Sequence, residues 1–234
     1  MYNVPTRQSR KHNHTVGSRL KYQKNYEPFQ YIHTDVFGPV SVDKPYPSWF
    51  VAFTDEATRF RWVFPLENKT ADLMLHVITA LVNTIKRQFN SKVLCFQFDH
   101  GREYDNKLLQ NYLESNGIQS IFNSVADSAS NGVAERMNLT LLNDCRTLLK
   151  AAQLPDNLWF YAIQFSTVIR NSVYNESIKS SPRAIAGLSG LDVQNNLTIW
   201  STGYRSYEPN LLLSYILEAN LGFALTPSTH SYDT

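Results

Sequence analysis

Three carboxylates fall where a carboxylate is awkward unless something meets it. Asp35 in "HTDVFGP" and Asp99 in "CFQFDHGREY" each end an apolar run, and Glu135 in "NGVAERMN" sits in the first turn of a long helical pattern. Cys95, Phe96 and Phe98 suit a strand packed on a core, so an acid arriving directly after them is costly without a cation or a donor. If the strands that end at Asp35 and Asp99 are neighbours, the two acids share one edge of a sheet, and the helix of Glu135 can start beside it. Such a set offers oxygen donors, with no sulfur and no obvious imidazole. It suits a hard divalent cation, Mg²⁺ or Mn²⁺, better than zinc. Two such ions about 3.5–4 Å apart activate an attacking oxygen and stabilise a leaving one in phosphodiester displacement. Position alone favours a plainer reading, because Asp is a common turn residue and Glu is favoured in a first helical turn. Gly101 permits a tight turn behind Asp99, and Asn131-Gly132 permits close backbone approach before Glu135. Asp105, Asp127 and Asp144 read as a cap, a loop residue and a helix-surface residue, and are set aside.

Those acids need elements to carry them. "FQYIHTDVFGPV" predicts a strand over 31–35, stopped by Gly38-Pro39. Two further strands, over 49–54 and 59–65, are joined by a turn at Asp55-Glu56-Ala57 as an antiparallel hairpin. Leu73, Val77, Leu81, Ile85 and Phe89 recur at helical spacing, widened by Ile78 and Val82, with Thr70 to cap and Lys86-Arg87 at the C-terminus. A strand over 92–98 follows, then a helix with Leu108, Leu109, Tyr112 and Leu113 inward and Gly117 as its stop. "IQSIFNS" is a short strand and "DSASNG" a polar connection. A long helix with Val133, Met137, Leu141, Cys145 and Leu148 on one face comes next, and Pro155 opens another. Strands first, then strands alternating with helices, define an α/β chain with a mixed sheet and helices on both faces. No internal repeat is visible, and the segment after Trp200 does not continue the pattern.

The 234 residues suit one domain with extensions, and 43% apolar content is enough for a core. No apolar run reaches membrane-spanning length, and the N-terminal residues lack the apolar stretch of a signal peptide. Cys95 and Cys145 both sit in apolar patterns and read as buried, reduced thiols of an intracellular protein. The net charge of +2 conceals an asymmetry: residues 1–30 carry Arg7, Arg10, Lys11, Arg19, Lys21 and Lys24 against Glu27 alone, a net +5. A basic arm ahead of a near-neutral body fits contact with phosphates, or equally a solvated leader.

The residues around the three acids carry a resemblance. There are 35 residues between Asp99 and Glu135, and Asp35, Asp99 and Glu135 resemble the D, D-35-E signature of integrases. "HTDVFGP", "SWFVAFTDEATRFRWVFPL", "NGVAERMNLTLLNDCRTLL" and "LPDNLWFYAIQFSTVIRNS" resemble the copia/Ty branch of long-terminal-repeat retrotransposon integrases over about residues 12–192. The resemblance implies a ribonuclease-H-like core over 28–150, a helical extension over 151–200, a basic arm over 1–27 left by a truncated zinc module, and a divergent tail over 201–234. It implies that Asp35, Asp99 and Glu135 are the catalytic residues and hold two Mg²⁺ or Mn²⁺ ions. It implies water-dependent processing of a cDNA 3′ end, then attack of the freed hydroxyl on target DNA. Arg136, Asn138, Arg146 and Lys150 are then expected to face the DNA backbone, the alternative being an ordinary solvated helix face. Arg61 and Lys69 are weaker candidates, Trp159 and Phe160 are expected in the core, and Glu103 is expected to support the turn after Asp99. His12 and His14 lack the paired cysteines of the zinc module. Partners implied are element cDNA ends, target DNA and further copies of the chain, with no membrane, in nucleus and cytoplasm. A catalytically inactive nucleic-acid-binding remnant, or a ribonuclease-H-type nuclease on RNA–DNA hybrids, remain alternatives at this level.

Overall fold

The computed structural model describes residues 26–40, 47–98, 104, 106–122 and 128–188, with the backbone alone at 128–137. Five strands form one sheet: β1 (Tyr31–Phe37), β2 (Trp49–Asp55), β3 (Arg61–Leu66), β4 (Cys95–Phe98) and β5 (Gln119–Phe122), in the order β3-β2-β1-β4-β5. β1, β2 and β3 are antiparallel neighbours, whereas β4 and β5 run parallel to β1. The helices are α1 (Ala71–Gln88), α2 (Lys107–Ser115), α3 (Ser128–Ala152), α4 (Trp159–Ser172) and the short α5 (Pro182–Ile185). This is the mixed sheet with helices on both faces that the order of patterns predicts.

β2 explains why the sheet needs two helical layers. Its Val51 and Phe53 point to one face and Phe50 and Ala52 to the other, and all four are buried, as alternation along a strand covered on both sides requires. On the first face, Val51, Phe53, Phe96 and Phe98 pack with Met74, Ile78, Leu81 and Ile85 of α1 and Leu109 and Leu113 of α2. On the second, Phe50, Ala52 and Val63 pack with Leu141, Cys145 and Leu149 of α3 and Trp159, Ile163 and Phe165 of α4. β1 shares this asymmetry: Ile32 joins the first core, while Phe37 packs on the second. The odd positions Tyr31, His33 and Asp35 therefore lie on the face that α3 crosses.

Several boundaries differ from expectation. The hairpin connection is longer than Asp55-Glu56-Ala57, because the Asp55 carboxylate accepts from the Thr58 backbone N–H (2.8 Å), the Thr58 hydroxyl (2.7 Å) and the Phe29 N–H (2.9 Å). Those bonds hold the chain in a turn through Arg59, whose φ is +60°, so β3 begins only at Arg61. β4 begins at Cys95 rather than Lys92, the N–H groups of Leu94 and Cys95 both donating to the Gln30 carbonyl. Leu108, expected inward, is 53% exposed, since it stands beside the stripe that Leu109 and Leu113 form. α3 begins at Ser128, so much of the polar stretch expected as a connection is helical; the apolar face further along α3 carries that first polar turn. Residues 1–25 of the arm expected over 1–27, and residues 189–234, lie outside the described residues.

Candidate active site

Asp35 occupies the fifth position of β1, partly buried and paired in register with Ala52 of β2. Its carboxylate is met by a neutral amide: Asn138 Nδ2 donates to Asp35 Oδ2 at 2.5 Å across 103 residues of sequence. Asn138 lies on α3 and is only 4% exposed. This bond fastens α3 to the central strand beside Asp35. Glu135 lies on the same helix one turn earlier, and positions three apart are neighbours on a helix surface. On the other side, β1 and β4 are in parallel register at Tyr31–Cys95, Ile32–Phe96 and His33–Gln97, with Thr34 Oγ1 donating to the Gln97 carbonyl at 3.1 Å. Asp99 is the next residue but one after Phe98's neighbour Gln97 in sequence; it, Gly101 and Glu103 lie outside the described residues, as do the side chains of Glu135 and Arg136. The structure thus brings β1 with Asp35, β4 leading to Asp99, and the helix of Glu135 to one place.

Asn138 was expected to face DNA and instead points inward, because an amide beside a half-buried carboxylate is worth more there than in water. Its signal in the sequence was its spacing, three residues after Glu135. Arg61, expected as a weaker DNA contact, is likewise buried, at 5% exposure. Arg146 and Lys150 are exposed on α3. Lys69 is exposed and stands 4.3 Å over the Trp49 ring. Trp159 is buried and Phe160 partly so, as expected. Asp144 is no simple surface residue: Arg170 grips it through Nε (2.6 Å) and Nη2 (2.7 Å), and the Ser166 hydroxyl donates to it at 3.0 Å. That fork joins α3 to α4.

Reading from the sequence did not single out His33, which lies on the same face of β1 two residues before Asp35. Its Nε2 is 2.6 Å from Glu56 Oε2, and Arg59 Nη1 donates to the same oxygen at 2.8 Å. Burial alone would raise the Glu56 pKa, but the bonds from His33 and Arg59 and their charge outweigh it and hold the carboxyl at about 2. A cavity of about 20 Å³, room for about one water, lies among His33, Thr34, Asp35, Thr54, Arg61 and Asn138. Among the described residues no three His, Cys, Asp or Glu side chains are grouped to hold a metal. The carboxylate oxygens that Asp35 offers suit a hard cation, and both cysteines are buried.

An antiparallel hairpin extended by parallel strands, with helices on both faces, defines a ribonuclease-H-like fold. The same architecture appears in the HTLV-2 integrase catalytic core domain in complex with magnesium, trimeric form (TM-score 0.54, 17% identity, covering 68% of this chain and 97% of that one). It appears also in a simian T-cell lymphotropic virus intasome in complex with the PP2A regulatory subunit B56 gamma (TM-score 0.58, 13% identity, covering 70% of this chain and 56% of that one). At those identities the likeness is one of fold. Sequence supplies the family: residues 25–128 match the integrase core domain. Over 227 residues, 96% of the chain, it is 49% identical to the Transposon Ty1-NL2 and Ty1-PR1 Gag-Pol polyproteins of Saccharomyces cerevisiae. The chain belongs to the integrase core family, as a retrotransposon integrase core. It spans 13% of the length of those polyproteins.

Proposed function

We propose that this chain is the catalytic core that inserts a retrotransposon's cDNA into target DNA, with Asp35, Asp99 and Glu135 as its catalytic and metal-holding carboxylates. The observation that carries the reading is the Asn138–Asp35 bond, which sets the helix of Glu135 against the strand of Asp35. Divalent cations held by these acids would activate the attacking oxygen and offset charge on the leaving one. The protein's own contribution is positioning. Asn138 fixes one oxygen of Asp35, so the acid has fewer orientations to lose when a cation binds. Arg146 and Lys150, with Arg136 beside Glu135, supply cations along α3 for a phosphate backbone. Both transfers, processing of a 3′ end and joining of the freed hydroxyl, are displacements at phosphorus, so one set of acids serves both. DNA ends, target DNA and further copies of the chain are the partners that this reading requires, in the nucleus and cytoplasm.

The test is incubation of the chain with Mn²⁺ and end-labelled duplexes carrying the element's cDNA ends. Nicked and joined products are expected, lost with EDTA and with Asp35→Asn, Asp99→Asn or Glu135→Gln. Products that persist in all three variants, or preferential cleavage of RNA–DNA hybrid, would overturn it.

A further inference from the structure

The second face of the sheet is covered over only part of its width. α3 and α4 pack on β2, β3 and the Phe37 end of β1, and among the described residues no side chain of β4 or β5 joins that core. On β5, Phe122 packs against the first core, whereas Gln119 and Ile121 are exposed on the second face, Ile121 at 43%. The parallel register puts Tyr31, His33 and Gln97 on the same face, all half-buried. Tyr26 packs on Tyr31 with ring centroids 4.6 Å apart, and Tyr31 on His33 at 5.1 Å. Asp35 is the next position of that row along β1. Two of the rings are fixed in place. The Tyr31 hydroxyl donates to Gln97 Oε1 at 2.6 Å, and His33 Nε2 lies 2.6 Å from Glu56 Oε2. Glu56 by itself would repel a phosphate, but Arg59 shares its carboxylate.

We infer that Tyr26, Tyr31 and His33 form a stacking platform for unpaired nucleobases of a DNA strand. Ile121 alone among the residues of this face is aliphatic, so an apolar protein helix would find little to pack on. Rings with polar edges beside amide side chains suit bases instead, because every base offers a π-face to an aromatic ring. The two ring pairs are tilted, at 45° and 59°, so neither pair is stacked face to face. Successive nucleotides of a duplex strand rise about 3.4 Å, less than either ring spacing, so the row suits splayed bases better than an intact helix. Rings already held by Gln97 and Glu56 lose little freedom when a base stacks on them. The stacking itself stands on this geometry. That the bound strand is the one reacting at Asp35 rests on the proposed function.

The test measures binding of the full chain, in EDTA, to a fluorescent oligothymidylate, which does not pair with itself, and to a duplex of equal length. Fluorescence anisotropy at one fixed salt concentration reads both. Tyr31→Leu is expected to weaken oligothymidylate binding about fivefold or more and to change duplex binding far less. Tyr26→Leu, at the end of the row far from Asp35, should act in the same direction. Tyr31→Phe keeps the ring and loses only the bond to Gln97, so it should bind as wild type does. Thermal melting accompanies each variant, and where Tyr31→Leu melts early, Tyr26→Leu decides. An unchanged affinity for oligothymidylate, an equal loss on the duplex, or a wild type that binds no oligothymidylate would each overturn the inference. So would leucine variants that bind both DNAs normally but lose self-association in sedimentation, which would make this face a protein interface. No metal is present, so a failure of Mn²⁺-dependent joining leaves this result standing, and a failure of stacking leaves the reading of the carboxylates standing.

Discussion

Asn138 does for Asp35 what water does for an exposed carboxylate, but with a fixed direction. Replacing it by Leu keeps the volume and removes that donor from Asp35 Oδ2. The expected cost is about 1–3 kcal/mol of stability and at least about tenfold in Mn²⁺-dependent joining, measured by urea unfolding and by the end-joining assay. Activity equal to wild type would mean that Asp35 needs no orientation. Glu56 makes a second prediction at this level. Its folded pKa, about 2, lies below its ordinary value of 4.5, so the folded chain binds its proton less readily than the unfolded one. The stabilisation is present above about 4.5 and is lost as pH falls toward 2. Asp55 works with the opposite sign: burial raises its pKa despite three hydrogen bonds, so its share of stability grows as pH falls. Glu56→Gln should therefore flatten the acid limb of a Tm-against-pH profile between about pH 4.5 and 2, and an unchanged limb would assign that limb to other groups.

Asn171 shows how a helix can finish a sheet. β3 is an edge strand, and the amide of Asn171 pairs with both backbone groups of Arg61 as a neighbouring strand would. Asn171→Ala leaves a buried N–H and a buried carbonyl without partners, at about 1–3 kcal/mol for each group left unmet. Chemical denaturation should show this as a lower midpoint at an unchanged slope. A loss below about 0.5 kcal/mol would mean that water replaces the amide. This clasp also marks what the sequence could show. The strand at β2 and the helices α1 and α4 were legible because alternation and the 3.6-residue period are local properties. The two polar residues that fix the site and the edge were not, since their partners lie 103 and 110 residues away. Asn138 and Arg61 look like surface residues by type, and only the tertiary pairing of α3 and α4 with the sheet puts them inside. Asp35 stood out through its flanks, whereas His33 carried no signal beyond sharing a strand face with Asp35.

At the level of the whole molecule, the match to the integrase core domain covers residues 25–128, yet the packing unit is larger. The sheet face that carries Asp35 is closed by α3 and α4, and Trp159, Ile163 and Phe165 are buried there against Phe50 and Val63. Each large side chain buried in that layer contributes about 1.5–3 kcal/mol, so the α4 contribution alone is comparable with the net stability of a typical domain, about 5–15 kcal/mol. Without α4, Asp144 also loses its Arg170 fork, and the Arg61 backbone loses its clasp. A chain ending at Ala152 would retain all three candidate acids but bare the part of one sheet face that α4 covers. It is expected to bind hydrophobic dye, to lose its near-ultraviolet circular dichroism and to melt without a cooperative transition. If that shorter chain instead unfolds cooperatively with a native aromatic spectrum, then α4 is an accessory layer, and α3 alone holds the strand of Asp35 and the helix of Glu135 together.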